Sequence, residues 1–254
     1  MSVQITFEWD FSPPDYFEEP INISRLNYNM SIANGKVVAE LNSAIFDANP
    51  LVRKELHDAL IARFLGVQLL THRAYKLANS PTMAHVHLDG RRDIFIELES
   101  QCITSFMGSF DMQVTNKIGI ITKDSKKDRI EKKNAFAELV TKYSTDNLLN
   151  SLLKSYGAAV NDPNNELVHL YEIREALSKK LGKANVVKTK LSITSSHWSR
   201  FGLLCDNLPL NQGRHRGKFA GALRDANDSE LNEARGTARA MIEGYLQHLE
   251  ITSK

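Results

Sequence analysis

The sequence predicts an α+β protein, with a mostly β domain over residues 1–125 carrying one helix, then an all-α helical bundle over 126–254. Three observations carry this. Apolar residues alternate, or run in short β-type blocks, before Lys123 and recur at helical spacing after it. The strongest hairpin dipeptides, Asn34-Gly35 and Asp89-Gly90, both lie in the first half. Charge divides at the same place: residues 1–125 hold 11 Lys+Arg against 15 Asp+Glu, and residues 126–254 hold 21 against 15. The halves thus carry −4 and +6 and sum to the chain's +2.

In chain order, strands are expected over Val3–Phe11, Leu26–Ile32, Lys36–Asn42, Val67–Leu77, His85–Leu88, Asp93–Leu98 and Asp111–Thr122. Ile94, Ile96 and Leu98 alternate as on a half-buried strand. Pro50–Leu65 is the exception, because Val52, Leu56, Leu60 and Phe64 recur every four residues on one helical face. The charged run DSKKDRIEKKN after Lys123 reads as a linker entering a helix. Ile130, Phe136, Leu139, Val140 and Tyr143 form the first stripe of the bundle, and Leu148, Leu149, Leu152, Leu153 and Tyr156 the second. Pro163 opens a third helix that bears Leu167, Leu170, Tyr171, Ile173, Arg174 and Leu177 and stops at Gly182. Ser195 or Ser196 caps a short helix through Trp198, Phe201 and Leu204, and Asp228 or Ser229 caps the last, with Met241 and Tyr245 on its long apolar face.

Composition removes several classes of function. No run of about 18 apolar residues is present, so no membrane span is expected. The opening MSVQITFEWD has neither the basic nor the apolar region of a secretory signal. Cys102 and Cys205 are too few and too far apart for a disulfide framework or a Cys-based zinc site. A cytoplasmic protein without cofactor or metal is the expectation. Serine-hydrolase elbows, HExxH and dinucleotide glycine motifs are absent.

Glycines frame a basic loop, Gly213-Arg214-His215-Arg216-Gly217-Lys218-Phe219. It is not a P-loop: three residues rather than four separate its glycines, and Phe219 stands where a magnesium-holding Ser or Thr is required. Asp225, Asn227 and Ser229 begin like a calcium loop, but Glu230 and Gly236 occupy the positions that need Gly and Glu. What remains is a cationic cluster suited to phosphate, with Arg214, Arg216 and Lys218 as the phosphate-binding candidates. His215 is the candidate base and Arg214 its electrostatic partner, because imidazole suits proton transfer near neutrality. The same cluster also reads as a solvated loop paired with the bundle's own carboxylates. His85 and His87 share one face of a strand with Asp89, which is short of a zinc site by a ligand.

The segments LVHLYEIREALSKKLG, LSITSSHWSRFGLLCDNLPLNQGRHRGK and LRDANDSELNEARGTARAMIEGYLQHL resemble, in layout, the HEPN-type helical modules of bacterial proteins over about residues 128–250. The resemblance implies a long helix bearing an acidic residue, a second ending in a basic–histidine motif, and a closing third. It implies contact with RNA or a nucleotide, a homo-oligomer (a dimer), and membership of a group that includes metal-independent endoribonucleases of toxin and phage-defence systems. Active members carry Arg, a polar residue, and a His four to six residues on; here Arg214 and His215 fill the first two places and Lys218, Phe219 and Ala220 follow. That departure favours binding over cleavage. The alternative is a non-catalytic protein-interaction or dimerisation module.

Overall fold

The computed structural model describes residues 4–87, 91–95, 111, 113–115, 121–219 and 221–253. It shows an N-terminal antiparallel β region followed by helices, an α+β arrangement. The strands are β1 (Gln4–Ser12), β2 (Ile21–Ser24), β3 (Asn29–Ala33), β4 (Lys36–Asn42), β5 (Lys76–Leu77), β6 (Thr82–Val86), β7 (Arg92–Phe95), β8 (Gln113–Thr115) and β9 (Ile121–Asp124). The helices are α1 (Ser43–Ala48), α2 (Val52–Thr71), α3 (Ser125–Lys142), α4 (Asn147–Asn161), α5 (Glu166–Leu181), α6 (Ala184–Lys190), α7 (Ser195–Gly202) and α8 (Asp228–Thr252). Two compact units are distinguished, residues 1–61 with 75–134, and residues 62–74 with 135–254, so the division falls inside α2 and α3.

In the first unit the sheet runs β2-β3-β4-β1-β6-β7, with β5 paired to the end of β1. Central β1 puts Ile5, Phe7, Trp9 and Phe11 into the core, and β4 matches it with Val37, Ala39 and Leu41. Asn34 (φ 51°) and Gly35 (φ 79°) make the β3–β4 turn in the left-handed region that an Asn-Gly hairpin requires. The proposed Asp89-Gly90 turn, Ile96, Leu98 and Cys102 lie outside the described residues.

Several expectations need correction: Asp111–Thr122 holds two paired strands, β8 and the start of β9, rather than one, and residues 1–125 carry the short helix α1 as well as α2. Val67–Leu77 is not a strand: α2 continues to Thr71, and only Lys76–Leu77 is extended. Phe64, Leu65, Val67 and Leu69 are all buried, and a helix buried on several sides shows no periodicity to read. The charged run after Lys123 is the first turns of α3 rather than a linker. Asp124 Oδ1 accepts the amides of Lys126 and Lys127, both at 3.0 Å, and so caps that helix. Arg129 and Lys133 then both clasp Glu18, and the Arg129 hydrogen bonds above all hold the Glu18 carboxyl down at about 2. Two further corrections are displacements of one to three residues. Thr194 and Asn227, rather than the residues after them, cap α7 and α8, and Asn227 forms a reciprocal capping box with Glu230. Leu26 lies in the turn before β3, 99% exposed, instead of within the strand.

In the second unit α5 is the central helix, packed on α4 and α8. Leu167, Leu170, Ile173 and Leu177 of α5 are buried, as are Met241, Ile242 and Tyr245 of α8. Gly182 (φ 106°) ends α5 in a conformation that a side chain would strain. Its N-terminal end carries an ionic knot. Glu166, 1% exposed, receives Arg235 Nε and Nη2 at 2.5 and 2.7 Å, with His72 Nε2 3.5 Å away. Burial first, and then the Arg235 charge, push the His72 imidazole below its ordinary value.

Candidate phosphate-binding site

The basic loop is fixed at both ends by backbone bonds. Arg214 N donates to the Cys205 carbonyl at 3.1 Å, Asn211 N to Arg224 O at 2.9 Å, and Arg224 N to Pro209 O at 3.0 Å. Between them Arg216–Phe219 forms one 3₁₀ turn. Immediately upstream, α7 passes into a π-helical turn, Leu203–Asn207, and that wider turn carries Asp206.

Each predicted site residue has a defined setting. Arg214 Nη1 donates to Glu175 Oε1 of α5 at 2.9 Å and lies 3.9 Å from Asp206 Oδ1, while its guanidinium sits 4.5 Å from the centre of the Tyr171 ring. Its Nε and Nη2 make no hydrogen bond among the described residues. Nε2 of His215 lies 3.0 Å from Asp206 Oδ1, and the side chain is 52% exposed. Arg216 donates through Nε to Gly213 O at 3.0 Å and through Nη2 to Asn165 Oδ1. Lys218 is exposed, its ammonium 5.5 Å from the centre of the Phe219 ring. Arg214 and Arg216 are therefore anchored through one edge each, whereas His215 lies against Asp206 Oδ1 without a hydrogen bond to it. Part of the pairing with the bundle's own carboxylates is real, and it leaves the outer edge of the Arg214 fork open. Arg224 is set apart, engaged bidentately by Glu230 at the α8 cap.

The structure adds a cation that spacing alone did not single out. Arg174, one turn before Ser178 on α5, is half-buried, with its guanidinium 4.4 Å from the Trp198 ring centre and 5.4 Å from that of Tyr171. Nη1 reaches the Trp198 carbonyl at 3.3 Å, and no carboxylate among the described residues pairs with it. Gly202 makes room for it, since a Cβ there would overlap Arg174 Nη1. Two guanidiniums thus share the Tyr171 ring, and the two acids close by, Glu175 and Asp206, both serve Arg214. A half-buried cation without a counter-charge is costly, and ring contacts worth about 0.5–2 kcal/mol offset only part of that cost. An anion between Arg174 and Arg214 would offset the rest.

Elsewhere the candidates are bland. His87 Nε2 pairs with Asp93 Oδ2 at 2.7 Å across the β6–β7 ladder, and Asp89 lies outside the described residues. No group of three or more His, Cys, Asp or Glu placed to hold a metal occurs among the described residues. Cys205 is buried, and burial pushes its thiol up, which removes it as a nucleophile. Among the described residues no helix is long and apolar enough to cross a membrane.

Tyr171, Glu175 and Asp206 were equally invisible as site residues, because their proximity to the loop is created by the fold and has no linear spacing. No protein-family model, no curated protein and no solved structure matches this chain.

Proposed function

We propose that the helical unit is an HEPN-like module that binds the phosphate backbone of RNA between Arg174 and the Arg214–Lys218 loop. The observation that carries the reading is Arg174, a half-buried guanidinium that shares the Tyr171 ring with Arg214 and has no carboxylate of its own among the described residues. Anchored forks are preorganised, so little side-chain entropy is lost when phosphate oxygens take the open edges. Binding without cleavage is the primary reading, because no second His follows His215 at the spacing of active relatives. One geometric feature favours the cleaving alternative: the Asp206 carboxylate lies 3.0 Å from the His215 imidazole and 3.9 Å from Arg214, so the candidate base and the cation flank one acid. A 2′-hydroxyl would then lose its proton to His215 while Arg214 stabilised the charge developing on phosphate.

Titration with labelled single-stranded RNA at several salt concentrations separates these readings. Arg214→Ala with Arg216→Ala should weaken binding and lower the log–log salt slope by about 1.4, two contacts at about 0.7 each. His215→Ala should change affinity little and leave no cleavage to lose. Metal-independent cleavage by the wild type that disappears in His215→Ala would establish the nuclease instead. Absence of RNA binding at low salt would leave the protein-interaction reading.

A further inference from the structure

We infer that the lysine-rich face formed by the end of α5, α6 and the start of α7 is a second RNA contact surface that extends the bound chain beyond the Arg174–Arg214 site. The inference rests on the reading of the helical unit as an RNA binder, and it names where the strand goes after leaving the loop.

The sequence singles out this stretch by what it lacks. Between Glu175 and Asp206 lie 30 residues without one Asp or Glu, in a chain that has 30 acids in 254 residues. The same stretch holds Lys179, Lys180, Lys183, Lys188, Lys190 and Arg200. In the fold the first three and Lys190 are exposed and Lys188 is half-exposed. None of the five lysines forms an ion pair with a carboxylate among the described residues; Lys188 Nζ donates to Ser195 Oγ at 2.8 Å. Most surface cations elsewhere in this unit behave differently, as Lys142 with Glu250, Arg224 with Glu230 and Arg239 with Glu243 show, and within the stretch Arg200 is paired with Glu233. Unpaired lysines repel one another, and a face that keeps them so is complementary to a polyanion.

Geometry joins this face to the loop site. Tyr171, Glu175 and Lys179 follow at four-residue intervals along α5 and so share one side of it. Lys179 stands about 6 Å along the axis from Glu175, the residue that anchors Arg214. At its other side Arg174 touches the Trp198 carbonyl of α7, inside the same acid-free stretch. Ser192, Thr194, Ser195 and Ser196 are exposed there and supply neutral donors suited to phosphate and sugar. A nucleic acid fits this face better than a bilayer. The only large apolar side chain it exposes is Val186, at 43%, and Trp198 is buried, so no apolar wedge accompanies the charge.

The test uses the full chain and two probes, oligouridylates of about four and about sixteen nucleotides. The variant replaces Lys179, Lys180, Lys183 and Lys190 by Gln; a second replaces the same four by Arg. With the long probe the Gln variant should lose about 2.8 from the log–log salt slope, so between about 50 and about 200 mM salt its affinity falls about 50-fold less than that of the wild type. The short probe, which reaches only the loop, should bind both alike, and the Arg variant should keep the wild-type slope. Equal slopes for the wild type and the Gln variant on the long probe would overturn the inference while the loop reading stands, provided Arg214→Ala with Arg216→Ala still weakens both probes. Loss in the Gln variant with no loss in that double variant would do the reverse. Binding to phosphatidylserine vesicles but to neither RNA would assign the face to a membrane and overturn it.

Discussion

Arg235→Ala should destabilise the helical unit by about 3–5 kcal/mol, because it strands a carboxylate in the interior. Glu166 is 1% exposed, and both of its oxygens are taken by Arg235. The loss should depend on pH through His72, 3.5 Å from Glu166. In the wild type, burial and the Arg235 charge hold the His72 imidazole below its ordinary value, so folding disfavours its protonation. Removing Arg235 deletes the second cause and leaves the attraction of Glu166, so the folded-state value rises. Imidazolium then forms at mildly acidic pH and replaces part of the missing cation. The destabilisation should therefore be smaller near pH 5.5 than near pH 8, as chemical denaturation at the two values will show. A loss under about 1 kcal/mol at pH 8, the size of an exposed ion pair, would mean that Glu166 is hydrated.

Leu170→Ala should cost about 2–5 kcal/mol. Leu170 is fully buried on α5, the helix that packs against both α4 and α8, so neighbours on two sides would have to move to fill the cavity. Loss near the low end would indicate collapse around the site, and loss below about 0.5 kcal/mol would place the side chain at the surface. The same helix bears Tyr171, Arg174 and Glu175 one to five residues further on. A core defect here should accordingly loosen the RNA site as well, and affinity is best compared with Arg-to-Ala variants at matched stability.

Much of the fold was legible because its signals are local. Asn34-Gly35 permits the hairpin conformation, and Pro163 and Gly182 bracket the third helix of the bundle, where a 3₁₀ turn leads into α5. Leu170, Leu177, Met241 and Tyr245 recur at helical spacing and are buried. The misreadings arose where tertiary context overrides the pattern. Val67 and Leu69 sit in a helix buried on several sides, and the charges of residues 124–134 are held in a helix by Asp124 and Glu18, the latter far away in sequence. The loop Arg214–Lys218 announced itself as a cluster of charge, whereas Arg174 was legible only as one position on a helical stripe. Its meaning lies in Gly202, Trp198 and Tyr171 around it, with no pairing carboxylate among the described residues, a setting that only the folded chain brings together.

Arg174 is therefore where the account is tested most directly. Arg174→Gln keeps the length and polarity of the side chain and removes its charge, and the affinity of this variant for single-stranded RNA is to be compared with the wild type at low salt. The account predicts that the wild type binds, that the variant folds to the same helical content, and that its affinity falls about tenfold or more, in line with loss of a charge-assisted phosphate contact of about 1.5–3 kcal/mol. A variant that binds RNA as tightly as the wild type, with the same salt slope, would contradict it.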